Sequence, residues 1–500
     1  MAKYTTGDIQ ISGALPIETL LEFSISAKMN GHGKLRYSGI ISEETGTNIL
    51  ARENSPDVVT VSLRGELIFV GQPTIISVHG KSSFFVLTVE CASMSYLMDV
   101  ESNCQSFQNP NMTYADVIDA LFSKPNGHRA LTLRGDNKNA IGPIVQYEET
   151  DWAFALRMAS QIETVLVPNL CAAFPQMAFG VPRGNDYTVE SAEYTSGRFR
   201  KKCNNGKWHE FPYYTVVDKD VFKLGDRVDF LGRRWLVVEA LYELVGGSLR
   251  NSYVLGTEES YSLPQLYNDK LCGLSLLGSV IDTDGENVRL HLDIDKAQEK
   301  ETAFWYPFRP QQGNAMYCMP QLGTKAYLKM GSRVDGECVV EHCHRTNGAT
   351  CDGMADSDNR LFTSEFGKCM ALLPDALLFH DGTSGIGLQD EGGIGATSEK
   401  ELKIYACGTV TFRSCEKISI ETPEQMILAQ ANSDSGIEIS GNELHVHSGN
   451  VYIKGNASAQ IAGAIKKETG KNVAIPRGVA LKLCAMTPVA VDVSILAMKE

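Results

Sequence analysis

The sequence has no uninterrupted apolar run of the ~20 residues that a bilayer-spanning helix needs. Its opening, Met1-Ala2-Lys3-Tyr4-Thr5-Thr6-Gly7-Asp8, has no basic segment leading into an apolar one. No secretory leader is read there, and folding in a cytoplasm is the expectation. Cations are in deficit: 46 Lys and Arg stand against 60 Asp and Glu, a formal net charge of −14. Phosphate binding needs clustered Lys and Arg, so the balance argues against nucleic acid. It argues equally against an anionic membrane surface. A disulfide framework is missing too. The 13 cysteines are odd in number and scattered from Cys91 to Cys484, as expected of reduced thiols.

Catalytic motifs are also absent. There is no Gly-x-Ser-x-Gly elbow, no His-Glu-x-x-His and no phosphate loop. Gly392-Gly393-Ile394-Gly395 reads as tight corners. Cys338, His342, Cys343, His344 and Cys351 cluster locally, but without paired Cys-x-x-Cys spacing. Cys338 to Cys343 alternates like a strand, which is the reading adopted over zinc. The expectation is a protein that is not an enzyme, with no catalytic residues and no required cofactor. A peptidoglycan hydrolase is the enzymatic rival.

What is present is β-rich. With 500 residues, three or four domains fit. Residues 1–105 hold short alternating strands, Asp8–Ile11, Leu21–Ala27, Val58–Leu63, Glu66–Val70, Thr74–Val78 and Phe84–Cys91. Gly65, Gly71-Gln72-Pro73 and Gly80-Lys81 separate them, and the pattern suggests a first β-barrel. Residues 106–165 predict helices from Thr113 to Phe122 and from Thr150 to Ile162. Thr113 and Asp116 have capping-box spacing, and Asp151 suits a helix N-terminus. Residues 166–262 return to strands, as a second barrel. Residues 272–348 have the length and strand number of an OB-fold barrel.

Residues 378–460 repeat. Apolar pairs at i and i+2 recur every eight residues at Ile386/Leu388, Ile394/Ala396, Leu402/Ile404, Val410/Phe412, Ile418/Ile420 and Met426/Leu428. After a slip they resume at Ile437/Ile439, Leu444/Val446 and Val451/Ile453. One apolar pair per eight residues cannot offset an ordering entropy of ~1–2 kcal/mol per residue. Several copies winding around one axis would bury these pairs together. Roughly ten levels at the ~4.8 Å strand spacing give a rod of about 45–50 Å. A single-chain β-solenoid is the alternative. His445-Val446-His447 places two imidazoles on one face of a strand, and three copies would offer six nitrogens for iron. Leu444 and Val446 occupy the inward register, which turns His445 and His447 outward.

Several stretches resemble the fused hub-and-spike proteins of contractile injection systems. These are the VgrG family of type VI secretion and the related baseplate hub and central spike proteins of contractile phage tails and R-type bacteriocins. Gln146-Tyr147-Glu148-Glu149-Thr150-Asp151-Trp152-Ala153-Phe154 through Ala159 carries the likeness most specifically. Phe107-Gln108-Asn109 with the helix from Thr113 resembles the segment before it. Gly278-Ser279-Val280, Pro320-Gln321-Leu322-Gly323-Thr324 and Val339-Val340 through Asn347-Gly348 resemble the OB module. The likeness covers residues 1–460.

The resemblance implies a mainly β fold of two hub β-barrels with interposed helices, an OB-fold and a C-terminal trimeric intertwined β-helix spike. It implies a homotrimer adapting a threefold spike to a hexameric tube protein. Baseplate proteins and a separate PAAR-like tip protein are the implied partners, and the target envelope is contacted only on firing. Synthesis in a bacterial cytoplasm and assembly into an injection particle follow. Some phage spikes resemble the His-x-His motif at their apex. The chain departs in its apolar Val288-Arg289-Leu290-His291-Leu292 and in lacking a lysozyme-like insert. Residues 461–500 match nothing in the family and read as a tip or capping tail. A trimeric receptor-binding or adhesin fibre is the reading from another class.

Overall fold

The computed structural model describes residues 4–13, 15–51, 58–81, 84–123, 129–132, 142–190, 193–310, 318–344, 356–364, 366–456 and 458. Cys351, the Asn347-Gly348 end of the OB motif and the tail 461–500 lie outside the described residues. The chain divides into two units, Met1–Ser357 and Asp358–Glu500.

The two β regions of the first unit share one sheet. Strand Thr19–Lys28 belongs to the first region and Arg233–Val245 to the second, and they pair antiparallel from Ser24–Glu243 to Lys28–Glu239. Each region thereby covers an edge of the other that would otherwise present unpaired backbone groups. The core is shared as well: Ile25, Tyr37, Phe69 and Leu87 pack in one cluster with Val237, Tyr253 and Leu255.

Strand Glu66–Lys81 runs through Gly71-Gln72-Pro73, where the sequence pattern predicts a break. Pro73 sits at a register shift between Pro73 and Ile75, where a missing N–H is tolerated. Gly71 has a packing role and makes no turn. A Cβ there would lie 2.3 Å from the Ala92 carbonyl oxygen and 2.5 Å from the Phe69 ring.

Helix α1, Glu43–Leu50, is short and polar and has no counterpart in the sequence expectations. Helix α2 spans Tyr114–Phe122 and α3 spans Asp151–Gln161. Thr113 and Thr150 stand just outside as N-caps. The Asp116 N–H donates to Thr113 Oγ1 at 3.1 Å, and the Thr113 N–H donates to Asp116 Oδ2 at 2.8 Å. The Ala153 N–H donates to Thr150 Oγ1 at 3.1 Å. Val117, Ile118 and Leu121 of α2 pack with Trp152, Phe154 and Met158 of α3 in a second core.

Five strands form the next module, in the order Trp305–Pro307, Asn287–Leu292, Ser275–Asp284, Lys325–Met330 and Cys338–His344. A parallel bridge between Phe308 and Val340 joins its two edges, so the sheet closes on itself. Val280, Leu290, Tyr306, Leu328 and Val340 fill the interior. Ladder closure and size are those of the expected OB-type barrel.

One side chain joins α3 to this barrel. Arg157 is 2% exposed. Its guanidinium lies 3.0 Å from Glu149 Oε2 and 2.6 Å from Asp335 Oδ2, and donates to the Val145 carbonyl at 2.8 Å. Asp335 Oδ1 in turn accepts the Val145 N–H at 2.9 Å. Burial pushes the Glu149 and Asp335 carboxyls up from their ordinary range, and the Arg157 charge opposes that rise. Arg157→Met would strand two largely buried carboxylates. A loss of about 3–5 kcal/mol is expected, read as a lower urea midpoint. A loss below ~1 kcal/mol would show that the guanidinium is not the joint.

Strand Ile9–Ser12 ends the large sheet, and an exposed pair holds its start. Arg64 Nε lies 2.9 Å from Asp8 Oδ1, and the Thr5 N–H donates to Asp8 Oδ2 at 2.7 Å. The Arg64 hydrogen bond and the Thr5 N–H bring the Asp8 carboxyl down to about 2. A depressed folded pKa stabilises above the unfolded value and loses that effect as pH falls through the folded one. Wild type is therefore expected to melt above Asp8→Asn at pH 6. The gap should close between about pH 4 and pH 2. An unchanging gap would refute the assignment.

Candidate assembly surface

In the second unit, strands Arg360–Thr363, Cys369–Leu373, Ala376–His380, Gly385–Gln389 and Gly393–Thr397 form an antiparallel meander. Its register sets Ile386 opposite Phe379 and Ala396, and Leu388 opposite Leu377 and Ile394. Strands Gln425–Ala429, Gly436–Ser440 and Glu443–His447 form a second meander. There Met426 faces Ile439, Leu428 faces Ile437, and Ile437 and Ile439 face Val446 and Leu444. The apolar pairs thus fall on one side of each sheet, because side chains two residues apart share a face.

Residues 398–424 carry no strand pairing among the described residues. Bends fall at 399–400, 407–408, 415–416 and 423–424, an eight-residue period. The single repeat expected from sequence is therefore two meanders flanking a winding stretch. Backbone geometry accompanies the difference. Gly367, Gly382, Gly393, Asn432 and Gly441 have positive φ at or beside five of the six reversals, whereas no residue of 398–424 does. A left-handed residue favours a tight fold-back, and the sixth reversal, at Pro374-Asp375, is made without one.

The predicted ladder residues are open to water in the single chain. Met426 is half-buried. Ile386, Leu388, Ile394, Leu402, Ile404, Val410, Phe412, Ile418 and Ile420 are exposed, as are Leu428, Ile437, Ile439, Leu444, Val446, Val451 and Ile453. Ile394 reaches 79% and Phe412 68%. Each such side chain gains roughly 1.5–3 kcal/mol on full burial. An apolar face of this extent marks an interaction surface.

His445 and His447 lie on the other side of their strand from Leu444 and Val446. Their rings are stacked 6.3 Å apart, with planes 6° from parallel. His445 Nε2 is 2.8 Å from Glu443 Oε2, and His447 Nε2 is 3.8 Å from Glu438 Oε2. Cys338, His342, Cys343 and His344 lie along the barrel strand Cys338–His344. Among the described residues, Cys203, His209 and Glu259 do converge, with ligand atoms within 4.8 Å of one another. Sequence spacing gives no signal for that group, because Glu259 comes from a separate helix, α4, Glu258–Tyr261.

A Ser-His-Asp sequence of contacts also occurs in the first unit. His32 Nδ1 is 3.0 Å from Ser95 Oγ, and His32 Nε2 is 3.5 Å from Asp99 Oδ2. Ser95 is 0% exposed, so no substrate carbonyl can reach its hydroxyl. Ser95 Oγ instead lies 2.9 Å from Ser93 Oγ, which accepts the Gly33 N–H at 2.9 Å. The chain of hydrogen bonds fixes the Gly31-His32-Gly33 turn.

A joined pair of β modules, a helical module, a closed five-stranded barrel and an apolar ladder make up the fold. No family model matches the chain, and no curated protein does. Solved structures do. A chain of a Francisella PdpA-VgrG complex is 8% identical, with 78% of this chain and 87% of that one covered, at a TM-score of 0.50. The Escherichia coli c3393 protein, described as a type VI secretion component similar to the T4 phage tail proteins gp27 and gp5, is 12% identical. It covers 66% of this chain and 98% of its own, at 0.47. A 43 kDa tail protein of prophage MuSo2 from Shewanella oneidensis is also 12% identical, covering 52% and 99%, at 0.39. At these identities what is shared is the fold.

Proposed function

We propose that the chain is the hub-spike of a contractile injection machine. Three copies wind their ladders into one rod, and their hubs adapt that threefold rod to a sixfold tube. Sheath contraction then drives the rod through a target envelope. The role is mechanical. The observation that carries this reading is the apolar face of residues 386–453, exposed in one chain and unpaired along 398–424. Three such faces winding about one axis would hide one another from water. The fold shared with a chain of the Francisella PdpA-VgrG complex supports the hub assignment. Tube subunits, baseplate proteins and a separate tip protein are the proposed partners, and a particle assembled from cytoplasmic components is the proposed location.

An adhesin fibre would share the rod. The hub sheet, α3 and the closed barrel favour the injection machine. Co-purification with tube or baseplate subunits tests this choice, and cell binding without them would reverse it. Clearing on a cell-wall zymogram would restore the hydrolase reading.

The native mass is expected to be three times 54.7 kDa. Phe412→Asp places a charge in the rod interior and is expected to yield monomers with the first unit still folded. Tyr405 is 88% exposed and follows the inward-facing Ile404, so Tyr405→Asp should leave the trimer intact. Monomeric wild type, or a trimeric Phe412→Asp, would defeat the proposal.

Iron on the rod axis would require His445 and His447 to face inward, in place of Leu444 and Val446. The two arrangements are mutually exclusive, and each imidazole already has a carboxylate neighbour. Elemental analysis of the assembled protein is expected to find no stoichiometric iron. One iron per three chains would mean that the polar face is axial.

A further inference from the structure

We propose that Cys407 and Cys415 of neighbouring chains form disulfides that close the rod covalently once it meets an oxidising environment. The inference rests on the three-chain reading above and adds a modification site to it. Both cysteines are free and exposed in the single chain. They stand eight residues apart, which is the repeat itself. Each is the first residue of a bend, at 407–408 and 415–416. They therefore occupy equivalent corners in successive steps of the stretch that has no strand partner among the described residues.

Their neighbourhood in a three-chain rod follows from symmetry. Each chain advances one face per eight residues and rises by one strand spacing, ~4.8 Å. The next chain, one face behind, brings its following step to the same corner one level up. Cys407 of one chain then lies directly below Cys415 of its neighbour. A spacing of ~4.8 Å falls within the ~4.4–6.8 Å between Cα atoms that a disulfide bridges. Within one chain the same two cysteines are separated by a whole extended step of roughly 26 Å, too far to join. Threefold symmetry makes three such pairs, which together link every chain to both others.

The oxidant is a small-molecule disulfide such as oxidised glutathione. The thiolate of one cysteine attacks a glutathione sulfur, forming a mixed disulfide and releasing one glutathione thiol. The second cysteine attacks the protein sulfur of that mixed disulfide. The Cys407–Cys415 bond forms, the second glutathione leaves, and the two thiol protons end on the two reduced glutathiones. In a reducing cytoplasm the pair remains as thiols, and the bond forms after release.

The test uses the full chain, reduced, desalted and then exposed to oxidised glutathione. A denaturing gel without reductant is expected to show a species of three times 54.7 kDa that reductant abolishes. Cys407→Ser and Cys415→Ser should each lose it, while the native mass of each variant stays trimeric. A native trimer with no covalent species would overturn the disulfide and leave the assembly reading standing. A covalent species that survives in either variant would assign the bond elsewhere and also overturn it. A monomeric native mass would remove both.

Discussion

A single guanidinium sits where the elements of the first unit meet. Arg157 projects from α3, and the groups it contacts come from the strand leading into that helix and from the loop between two barrel strands. Charge of one sign surrounded by two carboxylates and a carbonyl is tolerable in a dry site only when every partner is in place. The joint thus has a directional specificity that apolar packing alone does not supply. The helix carrying Arg157 also packs Trp152 against the turn residue His32, with ring centroids 4.2 Å apart. Orientation of the barrel, the helix and the first sheet therefore depends on a common element.

The second unit obeys the opposite logic. Its residues pair with one another locally in the two meanders, and the central stretch has no strand partner among the described residues. The first unit is held by interactions that one chain completes. The ladder has an apolar face that the single chain leaves exposed, because a strip of paired apolar residues has only one side. On the proposed reading, such a protein folds its first unit alone and its rod only in company.

Much of this was legible in sequence because the signals were local. Thr113 with Asp116, and Thr150 before Asp151, announced two helices to within a residue, since capping acts over three positions. The barrel strands and the ladder pairs were legible from period-two alternation. Other features depend on distant contacts. Asp335 reads as an ordinary loop aspartate until Arg157, 178 positions away, is brought against it. Gly71 looks like a turn residue, and only the carbonyl of Ala92 gives its actual role. Helix α1 is polar and short, so its periodicity was too weak to read. The hairpin of Glu193–Lys202 and Trp208–Asp218 falls in the region read as strands, but its bounds are not legible because the outer strand, at the sheet's edge, is largely exposed and rich in Arg and Lys. Antiparallel reversal in the ladder escaped as well, since an eight-residue step fits both a hairpin and a bend.

The distinction between reversal and bend has a kinetic meaning. Each meander joins strands adjacent in sequence, so it closes small loops and forms quickly on one chain. In the proposed three-chain rod the bending stretch between them would need chains from other molecules and so would follow a higher-order rate law. Two preformed ends would present the middle segments to one another already aligned. Interleaved in the proposed rod, no chain could be peeled away at an edge, because its strands would lie between those of its neighbours at every level. Such a rod would come apart by unwinding, which would slow dissolution without any single strong bond.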